Sequence, residues 1–267
     1  MIPGEDRAAA PSAAAPPAAS GSAAAASSRD RRAIDPREPP RSSRREAALI
    51  AASVTGGVAL AVSFAFDPDR AGTPTMLAAL GALYAVLTAI TVMWLRRRGE
   101  LRAALRPLSG DLARGALVAA GLYGLAMAVQ LLLAPRGSPR EAWVLRLYLQ
   151  LGDPSADARV FAGALVFVIA ALEEIVWRGL VLRALEGPLD QVAAWLLSSA
   201  LFAAAHAPTL FLLGDPVAGP NPLLVAAGFG CSIVWGRMVH RTGRLAPAVF
   251  AHAFFSWAIV SFPIWRP

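Results

Sequence analysis

The chain of 267 residues is 56% hydrophobic and 16% charged, and apolar runs of about 20 residues, the length that crosses a bilayer as a helix, recur along it. That composition excludes an ordinary soluble domain and predicts an all-α, polytopic membrane bundle. The net charge of +7 rests on 25 basic residues, all arginine; they sit in the tail and in loops beside spans, where topology accounts for them, so no nucleic-acid partner is expected.

Residues 1–45 are rich in Ala, Pro, Ser and Arg without apolar periodicity and read as a disordered tail. Glu5, Asp6, Asp30, Asp35 and Glu38 argue against a transit peptide. The late, full-length first apolar run argues against a cleavable secretory signal. Residues 46–267 are expected to form the membrane domain, with seven spans at about 47–66, 76–95, 115–134, 160–182, 191–213, 222–239 and 245–264. Arginines alternate in the connecting segments. Arg41, Arg44 and Arg45 precede the first span; Arg96, Arg97, Arg98, Arg102, Arg106 and Arg114 fill the second loop; Arg237, Arg241 and Arg244 gather at the end of the sixth span and in the segment after it. The positive-inside rule makes that side, and the N-terminus, cytoplasmic. The 135–159 loop runs against the rule, with Arg136, Arg140, Arg146 and Arg159 on the outer side. Within it, 141–151 is amphipathic and expected along the interface. The arginine-only composition reads as bacterial, which places the chain in the inner (plasma) membrane.

Glu173, Glu174 and Arg178 lie inside the fourth apolar run. Ionisable side chains at bilayer depth are costly and face a protein interior or a wet cavity, so three in one span mark a site. Glu174 and Arg178 are four apart, on one helix face and in the favourable order for an ion pair. Glu173 is turned about 100° away and finds Trp177 at the same spacing. A carboxylate in apolar surroundings without a bound cation meets the condition for a general base or acid near neutral pH. A purely structural ion pair between helices is the alternative.

Two of the three histidines fall in spans: His206 four residues after Phe202, and His252 four residues before Ser256. At that spacing each pair shares a helix face. Pro208 should disturb the helix beside His206. His240, between Arg237 and Arg241, reads as an interface residue. Cys231 is the lone cysteine, so no intramolecular disulfide forms and it reads as a small hydrophobe. Gly228, Gly230, Gly236 and Ala203 to Ala205 permit close helix approach. Glu173, His206 and His252 would make a three-ligand set for zinc with an open fourth position. Equally, Glu173 with His206 would activate a water directly, with His252 and Ser256 donating to the oxyanion.

The motifs Glu173-Glu174-Ile175-Val176-Trp177-Arg178, Phe202 through His206, and His252 through Ser256 resemble the EExxxR, FxxxH and HxxxN motifs of the CAAX-protease and bacteriocin-processing (CPBP, Abi) intramembrane proteases. The approach Arg241-Thr242-Gly243-Arg244-Leu245 is also similar, and the resemblance covers about 160–260. It implies an intramembrane endopeptidase acting on a membrane-anchored peptide or protein. Glu173 would be the water-activating acid, His206 would assist, Glu174 and Arg178 would orient the site, and His252 would lie at the oxyanion side. No obligatory metal is implied, with zinc as an option the family leaves open. Candidate substrates are a peptide leader or C-terminal sorting anchor, ahead of a lipidated C-terminus. The departure is Ser256, where the family has Asn or Asp. Serine donates one hydrogen bond and reaches less far than an amide, which favours the alternative of an inactive relative serving as a peptide-binding scaffold or immunity factor. A transporter with a buried proton relay is disfavoured by the lack of evident repeats.

Overall fold

The computed structural model describes residues 42–152 and 158–264, which are helix and loop apart from one isolated bridge. Residues 1–41 of the expected tail lie outside the described part, as do Asp153 and Asp157 of the outer loop. The helices are α1 (Arg44–Ala65), α2 (Thr75–Arg97), α3 (Leu101–Leu105), α4 (Asp111–Leu133), α5 (Glu141–Leu151), α6 (Ala158–Val176), α7 (Leu182–Leu185), α8 (Gln191–Ala205), α9 (Thr209–Leu212), α10 (Leu223–Thr242) and α11 (Ala246–Ser261). A π-helical turn, Trp177–Val181, joins α6 to α7. Local chemistry sets several ends. Ser43 caps α1 by accepting from the Glu46 amide, and Asp190 caps α8 by accepting from Val192 and Ala193. Gly243, at φ +68°, closes α10 in the left-handed region that glycine enters freely.

Helices stand where the seven spans were expected, and among the described residues five are long and apolar enough to cross a membrane: α1, α2, α4, the Arg159–Leu185 run and α10. The count of seven full spans is not confirmed, because α8 and α11 are shorter apolar helices of 15 and 16 residues. Both shortfalls trace to proline. Pro208 lacks an amide proton, and α8 ends three residues before it. Pro263 biases Phe262 out of the helical region, and α11 stops at Ser261.

α6 is the central helix, packed between α11 and α2; α11 is itself flanked by α4, and α10 pairs with α8. These approaches need small residues. A Cβ on Gly115 of α4 would collide with the Cβ of Phe250 on α11, and one on Gly236 of α10 with the Trp195 indole of α8. On the outside, Leu60, Leu117, Leu132 and Val160 are 74–78% exposed, an apolar surface suited to lipid.

The arginine-rich segments meet at one end of the bundle. Arg244 forms an ion pair with the buried Asp111, whose other oxygen contact is Arg244 Nη2 at 3.0 Å, and the Leu245 amide donates to Ala104 O. Arg183 bonds Glu100 at 2.7 Å and Gly243 O at 3.1 Å. At the opposite end α5 is a clasp. Its Trp143, Val144, Tyr148 and Gln150 are buried. Trp143 donates to Gly219 O, Tyr148 to Ile259 O and Gln150 to Ala65 O, while the buried Asn221 donates to Trp143 O. The amphipathic face read from the sequence is thus turned into the protein.

Candidate active site

Glu174 and Arg178 form the ion pair that their spacing predicts, Arg178 Nη1 donating to Glu174 Oε1 at 2.9 Å. Both are within 1% of full burial. Arg178 also donates through Nη2 to Ser232 Oγ at 2.7 Å and Ser232 O at 3.1 Å, fastening α6 to α10. Its guanidinium lies over the Phe202 and Trp235 rings, 5.2 and 5.6 Å from their centroids. Buried on every side, the cation is compensated by a carboxylate, two oxygens and two π faces.

Glu174 Oε1 takes a second partner, His252 Nδ1, at 2.9 Å. The other ring nitrogen, Nε2, stands 3.5 Å from Glu173 Oε2, beyond an ordinary hydrogen bond. Neighbouring acids on one helix thus address opposite nitrogens of one imidazole. That ring is stacked on Trp235 at 3.7 Å and 21°, which fixes its plane. Glu174 Oε2 and Trp235 Nε1 are buried without a hydrogen-bond partner among the described residues. Glu173 keeps partial exposure, 13% of its side chain against none for Glu174.

Phe202 is the hub of the remaining contacts. Its ring meets Trp177, His252 and Trp235 edge-on at 5.3, 6.2 and 6.3 Å and leans against His206 at 4.8 Å. His206 follows the last residue of α8, and its Nδ1 lies 2.8 Å from Phe202 O. With Nδ1–H given to that carbonyl, Nε2 is left as the free position. Among the described residues no hydrogen bond or ion pair ties His206 or Ser256 to either carboxylate. His240 stacks on Trp195, and Cys231 is buried as expected.

Sequence reasoning missed the supports from other helices. Ser232 and Trp235 of α10 hold Arg178 and His252, and Tyr84 of α2 accepts a hydrogen bond from the Trp177 indole at 3.3 Å. The available signal was a polar or amphipathic side chain inside an apolar span, which needs a partner when buried. Among the described residues no group of three or more His, Cys, Asp or Glu side chains is placed to hold a metal ion. No step below runs through a metal.

No curated protein and no solved structure matches the chain. Residues 155–258, the stretch that holds all three motifs, match the family described as type II CAAX prenyl endopeptidase Rce1-like, in agreement with the CAAX-protease resemblance of those motifs.

Proposed function

We propose that this protein is an intramembrane endopeptidase that hydrolyses a peptide bond beside a membrane-anchored segment, with Glu173 as the base. The observation that carries this reading is the unequal treatment of the two acids. Glu174 is spent on Arg178 and His252, whereas Glu173 is partly exposed and faces His252 Nε2.

In this scheme Glu173 takes a proton from a water whose oxygen adds to the scissile carbonyl carbon. His252 Nε2 and the Ser256 hydroxyl donate to the oxyanion. Collapse of the intermediate breaks the C–N bond, and the leaving amine receives the proton from Glu173, with His206 assisting. One water is consumed and one acid and one amine appear. Glu174 and Arg178 orient His252 and touch no reacting atom. The gathering of the arginine-rich segments at one end supports a cytoplasmic N-terminus in a bacterial plasma membrane.

The substrate carries a lipid or transmembrane anchor, with leader peptides and C-terminal sorting anchors ahead of prenylated C-termini. The test is cleavage, by the reconstituted protein, of one peptide sequence presented with a lipid anchor, with a transmembrane anchor and without either. Cleavage of the anchored forms alone is the expected result. Specific binding of anchored peptides with no cleavage of any would favour the inactive scaffold, the reading that Ser256 in place of Asn supports.

A further inference from the structure

We infer that Tyr84, on α2 and outside the segment that matches the family, is a positioning residue for Glu173, its hydroxyl proton steadying the carboxylate in the orientation from which it meets water. The inference rests on the role proposed above for Glu173.

Tyr84 is fully buried in the middle of an apolar helix. Its oxygen accepts from the Trp177 indole, a donor with no acceptor capacity, at 3.3 Å. The hydroxyl proton must therefore go elsewhere. Trp177 opens the π-helical turn that continues α6, four residues after Glu173, so a hydroxyl docked on that indole is brought towards the acid, and the carboxylate that acts on Tyr84 is Glu173. His252 Nε2 approaches the same carboxylate from α11 at 3.5 Å. Glu173 is thus met by a phenol from α2 and an imidazole from α11, while Arg178 and Glu174 of its own helix bond each other. A carboxylate between two such groups has a restricted orientation, and a small misplacement of a catalytic group is enough to lose much of the rate.

Tyr84→Phe removes the hydroxyl and keeps the ring. The expected result is a fall in kcat of roughly 10- to 100-fold with KM changed by less than about twofold. The infrared carboxylate band of Glu173, identified by its disappearance in Glu173→Gln, is expected to shift in Tyr84→Phe. If the hydroxyl served only Trp177, its removal would lower the unfolding temperature and move neither readout. Unchanged kcat in folded Tyr84→Phe, or an unmoved band, overturns the inference. If Tyr84→Phe does not accumulate, 2,3-difluorotyrosine at position 84, which keeps the hydroxyl but strengthens its acidity, is expected to shift the same band, and its failure to do so is equally decisive. If the wild type cleaves nothing, the reading as a protease fails, while the band still decides whether Tyr84 holds Glu173.

Discussion

Replacing Arg178 by Met tests the buried cluster at its most connected point. The change keeps an unbranched apolar chain of similar length but leaves Glu174 buried with His252 as its remaining partner, and strips both Ser232 oxygens of their donor. Removing one member of a buried, hydrogen-bonded pair costs about 3–5 kcal/mol. At roughly 2–4 °C per kcal/mol for a chain of this size, that is a fall on the order of 10 °C in unfolding temperature. The assay is tryptophan-fluorescence melting in detergent, for which Trp177 and Trp235 are well placed beside the cluster. A double variant, Glu174→Leu with Arg178→Met, removes the stranded charge and is expected to recover part of the loss, because replacing both members of a buried pair is often close to neutral. An Arg178→Met protein that melts with the wild type, or a double variant no more stable than the single one, would refute the view that the pair is a coupled, desolvated unit.

Other consequences are more local. Gly115→Val places a branched side chain where even a Cβ collides with Phe250, and a loss of about 1–3 kcal/mol is expected from overpacking between α4 and α11, read by the same melting assay. Glu186, next to α7 and outside the spans, is held above the usual carboxylate range by burial, with Arg183 and His240 opposing. A raised folded-state pKa means that the ionised form carries a penalty which appears as pH rises through the folded value and is absent below the unfolded value of about 4.3. Glu186→Gln is therefore expected to raise the unfolding temperature at pH 7 and to give no gain below about pH 4. Ser256→Asn restores the longer-reaching donor of the family motif and is expected to keep or raise the rate of peptide cleavage; a complete loss would mean that position 256 does not serve the oxyanion.

Much of the site was legible because a helix converts sequence spacing into faces. Four residues separate Glu174 from Arg178 and Phe202 from His206, and both pairs meet within α-helical or near-helical backbone. Helix existence followed from apolar length, and the ends that were misjudged lie beside Pro208 and Pro263, whose local effect outweighs continued hydrophobicity. What spacing does not encode is which helices lie side by side. His252 reaches both acids from 78 and 79 residues away in sequence, and Ser232, Trp235 and Tyr84 arrive from α10 and α2, so their roles depend on packing partners rather than periodicity. The same limit explains α5. Its amphipathic pattern was visible, but a pattern states that one face is apolar and not whether lipid or protein covers it; Asn221, Gly219 and Ile259 settle that.

The division of labour between two adjacent acids is tested most directly by comparing Glu173→Gln with Glu174→Gln in reconstituted membranes, measuring cleavage of an anchored peptide, with and without chelator, and thermal unfolding on the same preparations. Glu173→Gln is expected to abolish cleavage while melting with the wild type, and Glu174→Gln to lower the melting temperature along with activity, since it weakens the bonds to both Arg178 and His252. Wild-type cleavage is expected to survive chelator. Full activity in Glu173→Gln would contradict the account.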